Sequence, residues 1–235
     1  MAHPVPRVPT LGILTSVLLA MVFAPAVVSA QQVLTAREFF DTVAANYAAI
    51  EDYTATMVWR DERGTMRGTL TYKRPNLVRI DFTQPQDQLL VSNGQRLMIY
   101  VPAHNVRLTQ TLRPQVGSAP GGIATAEGLA LMRRNYSIAY LEGPEPVPLR
   151  DGSSTYVTKL RLDRRQATES FRELILSVDE NGFIRQIEGT KVDWEVVVME
   201  LSDIQINQRI STQIFEAEGD SSASIEENFL YDPEG

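Results

Sequence analysis

The chain has no cysteine and only two histidines in 235 residues, and these shortages exclude more than any motif does. Without cysteine there is no disulfide framework, no thiolate metal site and no amino-terminal cysteine to carry a lipid. His3 falls in a segment expected to be removed, which leaves His104 as the histidine of the mature chain. A hydrolytic triad on His104 would need an unmarked serine and an acid brought together by folding, whereas Ala103-His104-Asn105 reads as a turn after Pro102. No Gly-x-Ser-x-Gly elbow, phosphate loop or dinucleotide fingerprint occurs, and no run of carboxylates has calcium-loop spacing. The acid pairs Glu51-Asp52 and Asp61-Glu62 fall at strand ends, where solvated charge is expected. The chain thus lacks an identifiable metal site, cofactor motif or reaction centre, and an enzyme is not expected.

Long apolar runs are scarce as well. The one near the amino terminus, Leu11 to Phe23, is too short for a comfortable membrane span. Arg7 precedes it and the small residues Val28-Ser29-Ala30 follow before Gln31, so residues 1–30 read as an export signal and the mature protein is expected in a bacterial periplasm. Arg7 is the one charged residue lost, and the mature chain then holds 21 basic against 29 acidic residues, a net charge of -8. That balance opposes a nucleic-acid partner, whose phosphates need a basic surface. Residues 31–218 suit one domain, and residues 219–235 read as an acidic, flexible tail.

What is present is mostly β periodicity. Thr35-Ala36-Arg37-Glu38 is a capping-box pattern, and Phe40, Val43, Tyr47 and Ile50 follow at helical spacing, so one amphipathic helix is expected over Ala36 to Ile50. From Tyr53 the period changes to two. About ten short alternating segments follow, with tight-turn signals at Asn93-Gly94 and Asn181-Gly182, and so many strands beside so few helices imply a strongly curved antiparallel sheet or barrel. The pattern breaks between Arg113 and Asn135. There Pro114, Gly117, Pro120, Gly121 and Gly122 make a hinge-like stretch before a short helix carrying Leu129, Leu131 and Met132. That helix is either a mobile lid over a barrel mouth or a plain crossover helix plugging the barrel.

Residues 69–102 are the most informative. Read as one long strand from Met66 to Phe82, they place Leu70, Tyr72, Arg74, Asn76, Val78, Ile80 and Phe82 on one face. Arg74 then points inward, and a guanidinium there needs hydrogen-bonded partners or an internal space that is not simply a packed core. The alternative is that Pro75 bulges the strand and lets Arg74 snorkel to an exposed edge.

The run Lys73-Arg74-Pro75-Asn76-Leu77, then Thr83-Gln84-Pro85, then Leu90-Val91-Ser92 with Gly94, Leu97, Tyr100 and Pro102, resembles the LolA-like periplasmic carriers of outer-membrane lipoproteins in order and spacing. The resemblance implies a mainly β fold, an incomplete β-barrel with an N-terminal helix and a helical lid. It implies that Arg74 gates the lid by hydrogen-bonding to it, and that a monomer takes acylated lipoproteins or lipid from an inner-membrane ABC transporter to an outer-membrane acceptor. Strand parity and helical spacing nominate the lining of the lipid cavity: Met57, Trp59, Leu70, Tyr72, Val78, Ile80, Phe82, Leu97 and Ile99, with Leu129 and Met132 from the lid. Val78 and Ile80 stand where such carriers tend to have aromatics, and the tail departs from their ending. Two other readings remain, a glycolipid or lipid carrier, and a lipid-sensing regulatory module that binds a membrane protein, as in the envelope-stress sigma-factor regulators.

Overall fold

Helix α1 (Ala36–Ala49) begins where the sequence marks it. The Thr35 hydroxyl accepts from the Glu38 N–H, and the Glu38 carboxylate accepts from the Thr35 N–H, so two otherwise orphaned donors are satisfied reciprocally. Donation to the carboxylate by the Thr35 N–H, and by the Thr35 hydroxyl as well, holds the Glu38 carboxyl below the ordinary carboxylate value. One stripe, Phe40, Val43 and Tyr47, is buried against the sheet. The computed structural model describes residues 33–112, 124–216 and 222–229, with residues 1 and 3. The expected export signal and the hinge-like stretch fall almost entirely outside the described residues.

The sheet has thirteen strands among the described residues, against about ten expected. They are β1 (Asp52–Asp61), β2 (Gly64–Lys73), β3 (Leu77–Gln84), β4 (Leu89–Ser92), β5 (Arg96–Val101), β6 (Val106–Thr111), β7 (Tyr136–Tyr140), β8 (Val147–Pro148), β9 (Tyr156–Arg164), β10 (Phe171–Asp179), β11 (Ile184–Lys191), β12 (Val196–Ile206) and β13 (Ser224–Glu227). Their spatial order is β13-β6-β5-β4-β3-β2-β1-β12-β11-β10-β9-β7, with β8 beside β9. Two antiparallel meanders, β1 to β6 and β9 to β12, are thus joined through β1 and β12. The result is one open, curled sheet, not closed into a barrel. Helix α2 (Ala126–Asn135) lies between the meanders in sequence and packs on the same inner face as α1.

Both tight-turn signals form hairpins. At the β4–β5 turn Gly94 has φ +83, and the Asn93 carboxamide oxygen accepts from the N–H groups of Gln95 and Arg96. Register irregularities interrupt the β1–β12, β2–β3 and β10–β11 ladders, with the extra residue on β12, on β3 and on β10 and β11. At the one beside Gly68 a Cβ would stand 2.3 Å from the Asp81 carbonyl oxygen, so only glycine permits that approach.

Two expectations about the course of the chain need correction. Residues 66–82 are not one strand but a hairpin, β2 and β3, because Pro75 has no N–H for the ladder and Arg74 to Asn76 form the turn. The tail is not wholly free, since Ser224–Glu227 pairs parallel with β6 and Phe229 packs against the main core.

That core occupies the inner face of the sheet, under α1 and α2. A smaller cluster, Leu89, Val91, Met98 and Phe215, lies apart from it, where residues 207–216 cross β3 to β5. Asp52 pins this crossing. Its side chain is buried and accepts from the N–H groups of Gln208 at 2.7 Å and Ile210 at 3.1 Å, with Lys73 Nζ 3.6 Å away. The solvated role expected for Asp52 is therefore incorrect: a strand-end acid here serves as an internal anchor.

Candidate lipid-binding interior

Every residue nominated for the cavity lies in the inner-face cluster or packs on it. From β1, Met57 is buried and Trp59 half-buried; from β2 come Leu70 and Tyr72, and from β3 Val78, Ile80 and Phe82. Strand β5 contributes Leu97 and, at the margin, Ile99; α2 contributes Leu129 and Met132. Parity survives the correction to a hairpin for a geometric reason. Tyr72 faces Val78 and Leu70 faces Ile80 across the turn, and directly opposed residues share a face. Even numbers therefore stay inside on both strands.

Arg74 does not. It sits in the turn with a side chain 42% exposed, and its guanidinium donates to the Ala48 carbonyl of α1 at 2.8 Å. Its N–H donates to the Glu51 carbonyl, and Glu51 Oε1 lies 3.6 Å from the guanidinium. The last turn of α1 has no basic residue of its own, so Arg74 supplies the cation that the helix carboxyl end favours. The inward placement and the bond to the lid are both corrected: the bonded helix is α1.

The bonds to α2 come from residues that were not nominated for this role. Tyr53 donates from its buried hydroxyl to the Ala124 carbonyl at 2.8 Å, just before α2. The Tyr72 hydroxyl lies 3.1 Å from Glu127 Oε2 in the first turn of α2 and equally far from the Pro75 carbonyl oxygen, so two acceptors compete for one proton. Thr125 caps the helix by accepting from the Gly128 N–H at 3.0 Å. Toward its far end Arg133 meets Asp41 of α1, Nη2 to Oδ2 at 2.9 Å and Nε to Oδ1 at 2.7 Å. This exposed ion pair is worth at most about 1 kcal/mol. A handful of polar contacts and a few apolar side chains thus hold α2 down.

The interior is apolar enough to leave a mark on its tyrosines. Burial pushes the Tyr53 hydroxyl well above its ordinary value, and the neighbouring Tyr47 and Tyr72 add to the shift. Tyr72 is raised by burial and then by the Glu127 carboxylate, and Tyr136 is pushed up to about 12 by burial and by Glu169. Parity could have found Tyr53, since it shares a face with Met57 and Trp59. The wall from β9 to β12, including Leu160, Leu162, Leu176 and Ile187, carries the same alternation and was also missed. Among the described residues no cluster of histidine or carboxylate side chains is arranged to hold a metal.

Comparison with known proteins places this arrangement. The family model "Outer membrane lipoprotein carrier protein LolA" matches residues 54–218. The outer-membrane lipoprotein carrier protein of Haemophilus influenzae is 24% identical over 160 residues, covering 68% of this chain and 70% of that protein. The protein of the same name from Haemophilus ducreyi is 22% identical, covering 68% and 69%. A crystal structure of an uncharacterized conserved protein from Thermus thermophilus shares the fold at a TM-score of 0.53 and 12% identity, covering 82% of this chain and 98% of that one. By its sequence match across most of the sheet, the chain belongs to the LolA family of outer-membrane lipoprotein carrier proteins.

Proposed function

We propose that this protein is a periplasmic carrier that shields acyl chains of lipoproteins beneath α2 and moves them from the inner to the outer membrane. The observation that carries the reading is a continuous apolar inner face covered by α1 and the shorter α2, with Leu129 and Met132 of α2 as the parts an acyl chain would replace. By family analogy an inner-membrane ABC transporter would load it and an outer-membrane acceptor would unload it. At roughly 0.8 kcal/mol per buried methylene, one chain of about fifteen is worth on the order of 12 kcal/mol. Three such chains would exceed the practical ceiling of reversible binding, near roughly 20 kcal/mol. Loading must therefore be opposed, and the closed state supplies the opposition. Opening separates α2 from the sheet and breaks its contacts with Tyr53, Tyr72 and Asp41 before any chain enters.

A second reading has one observation in its favour. The inner face is closed and filled, with Leu70 and Leu129 both 0% exposed, as suits a regulatory module that docks a membrane protein on its outer surface. Mass spectrometry of lipids and lipopeptides that co-purify with the protein from its native periplasm separates the two. Acylated lipopeptides support the lipoprotein carrier, glycolipids would change the cargo, and a protein partner with no lipid would favour the module.

A further inference from the structure

Three tyrosines stand in a row inside the closed interior. The rings of Tyr47 and Tyr53 meet edge-on at 6.3 Å, and those of Tyr53 and Tyr72 lie 5.4 Å apart. Their hydroxyls are committed differently. That of Tyr47 accepts from the Ile184 N–H at 3.0 Å, a bond to the sheet. Those of Tyr53 and Tyr72 reach oxygen atoms at the start of α2, the Ala124 carbonyl and the Glu127 carboxylate. Two phenol donors are thus aimed from the wall at acceptors that leave when α2 leaves. Tyr72 can fall back on the Pro75 carbonyl, whereas Tyr53 is given no such second acceptor.

A buried O–H without an acceptor costs free energy, so the opened interior discriminates in favour of a ligand that brings one. A bare hydrocarbon brings none. A fatty acyl ester or amide brings a carbonyl oxygen at the head of each chain.

We propose that Tyr53 and Tyr72 form a binding site for the ester or amide carbonyls of an acylated ligand, and that the Ala124 carbonyl occupies the ligand's place when α2 is closed. The site rests on the carrier reading and adds a direction to it. Tyr53 opposes Tyr72 where β1 begins and β2 ends, and Ala55–Leu70 and Met57–Gly68 follow along the inner face. Chain heads lie at the tyrosine end and tails run toward Trp59, about 20 Å away at the rise of a strand.

The test uses the mature full chain and two lipids with the same chains and headgroup, a diacyl phosphatidylcholine and its dialkyl ether counterpart, which lacks the carbonyls. Wild type should bind the ester lipid about five- to tenfold more tightly, and Tyr53→Phe with Tyr72→Phe should bring the ratio near one. Tyr47→Phe, which removes a hydroxyl facing the sheet, should keep the wild-type ratio. Simple loosening of α2 would raise uptake of both lipids together and leave the ratio unchanged, so the ratio reads the carbonyl site alone. A wild type that takes both lipids equally, or a double variant that still discriminates, would overturn the assignment. If wild type binds neither lipid, the carrier reading itself falls and this site with it.

Discussion

At the scale of single residues the interior is defined by where protons and charges sit. Tyr47, Tyr53, Tyr72 and Tyr136 are all held above the ordinary tyrosine value of about 10 by burial. A group whose folded value is raised contributes stability that is fully present below the unfolded value and is lost as pH rises through the folded one. Alkaline unfolding should therefore set in above about pH 10, and the phenolate absorbance of these four should appear together with the loss of circular dichroism. Their ionisation near pH 10 in a folded protein would contradict the burial described here. Arg74 is the second test at this scale. Because it caps α1, Arg74→Ala should cost from a few tenths to about 1 kcal/mol of stability and leave acyl-lipid uptake and release unchanged. A variant that melts like wild type but fails to release lipid would restore the gating role that the resemblance implies.

Elements are where the sequence was most legible and where it misled. The capping box at Thr35, both Asn-Gly hairpins, the helix before Asn135 and the inward facing of Leu70, Tyr72, Val78, Ile80 and Phe82 were all readable, because each rests on local chemistry or a period of two. Arg74 was misplaced because parity runs only as long as the strand does. The hairpin turn at Pro75 interrupts the strand while opposed residues keep the same face, so the period looked continuous. The role of Asp52 was not readable, because its partners Gln208 and Ile210 lie more than 150 positions away and meet it only through the β1–β12 pairing. Asp52→Ala leaves those two N–H groups without their acceptor, at roughly 1–3 kcal/mol each. The variant should lose about 2–6 kcal/mol in denaturant unfolding, with faster hydrogen exchange concentrated in residues 207–216. Uniform exchange across the sheet would show that the anchor is not local.

For the whole molecule, the open sheet leaves its inner face to be covered by helices, and the two helices do so unequally. Helix α1 leads directly into β1 and is tied to the β2–β3 turn through Arg74. Helix α2 is held at its start by Tyr53 and Tyr72 and near its end by the Arg133–Asp41 pair. The account therefore assigns opening to α2. Because the chain has no native cysteine, Asp41→Cys with Arg133→Cys places two unique thiols across the α1–α2 contact, and a short bis(methanethiosulfonate) reagent can join them through two disulfides with release of methanesulfinate. The most direct measurement is uptake of a fluorescent acyl probe by this variant before and after joining, with a cleavable reagent so that the same sample can be released. The account predicts that joining lowers affinity at least about tenfold, or about 1.4 kcal/mol, and that cleavage restores it; undiminished binding by the joined protein would contradict the claim that acyl chains enter beneath α2.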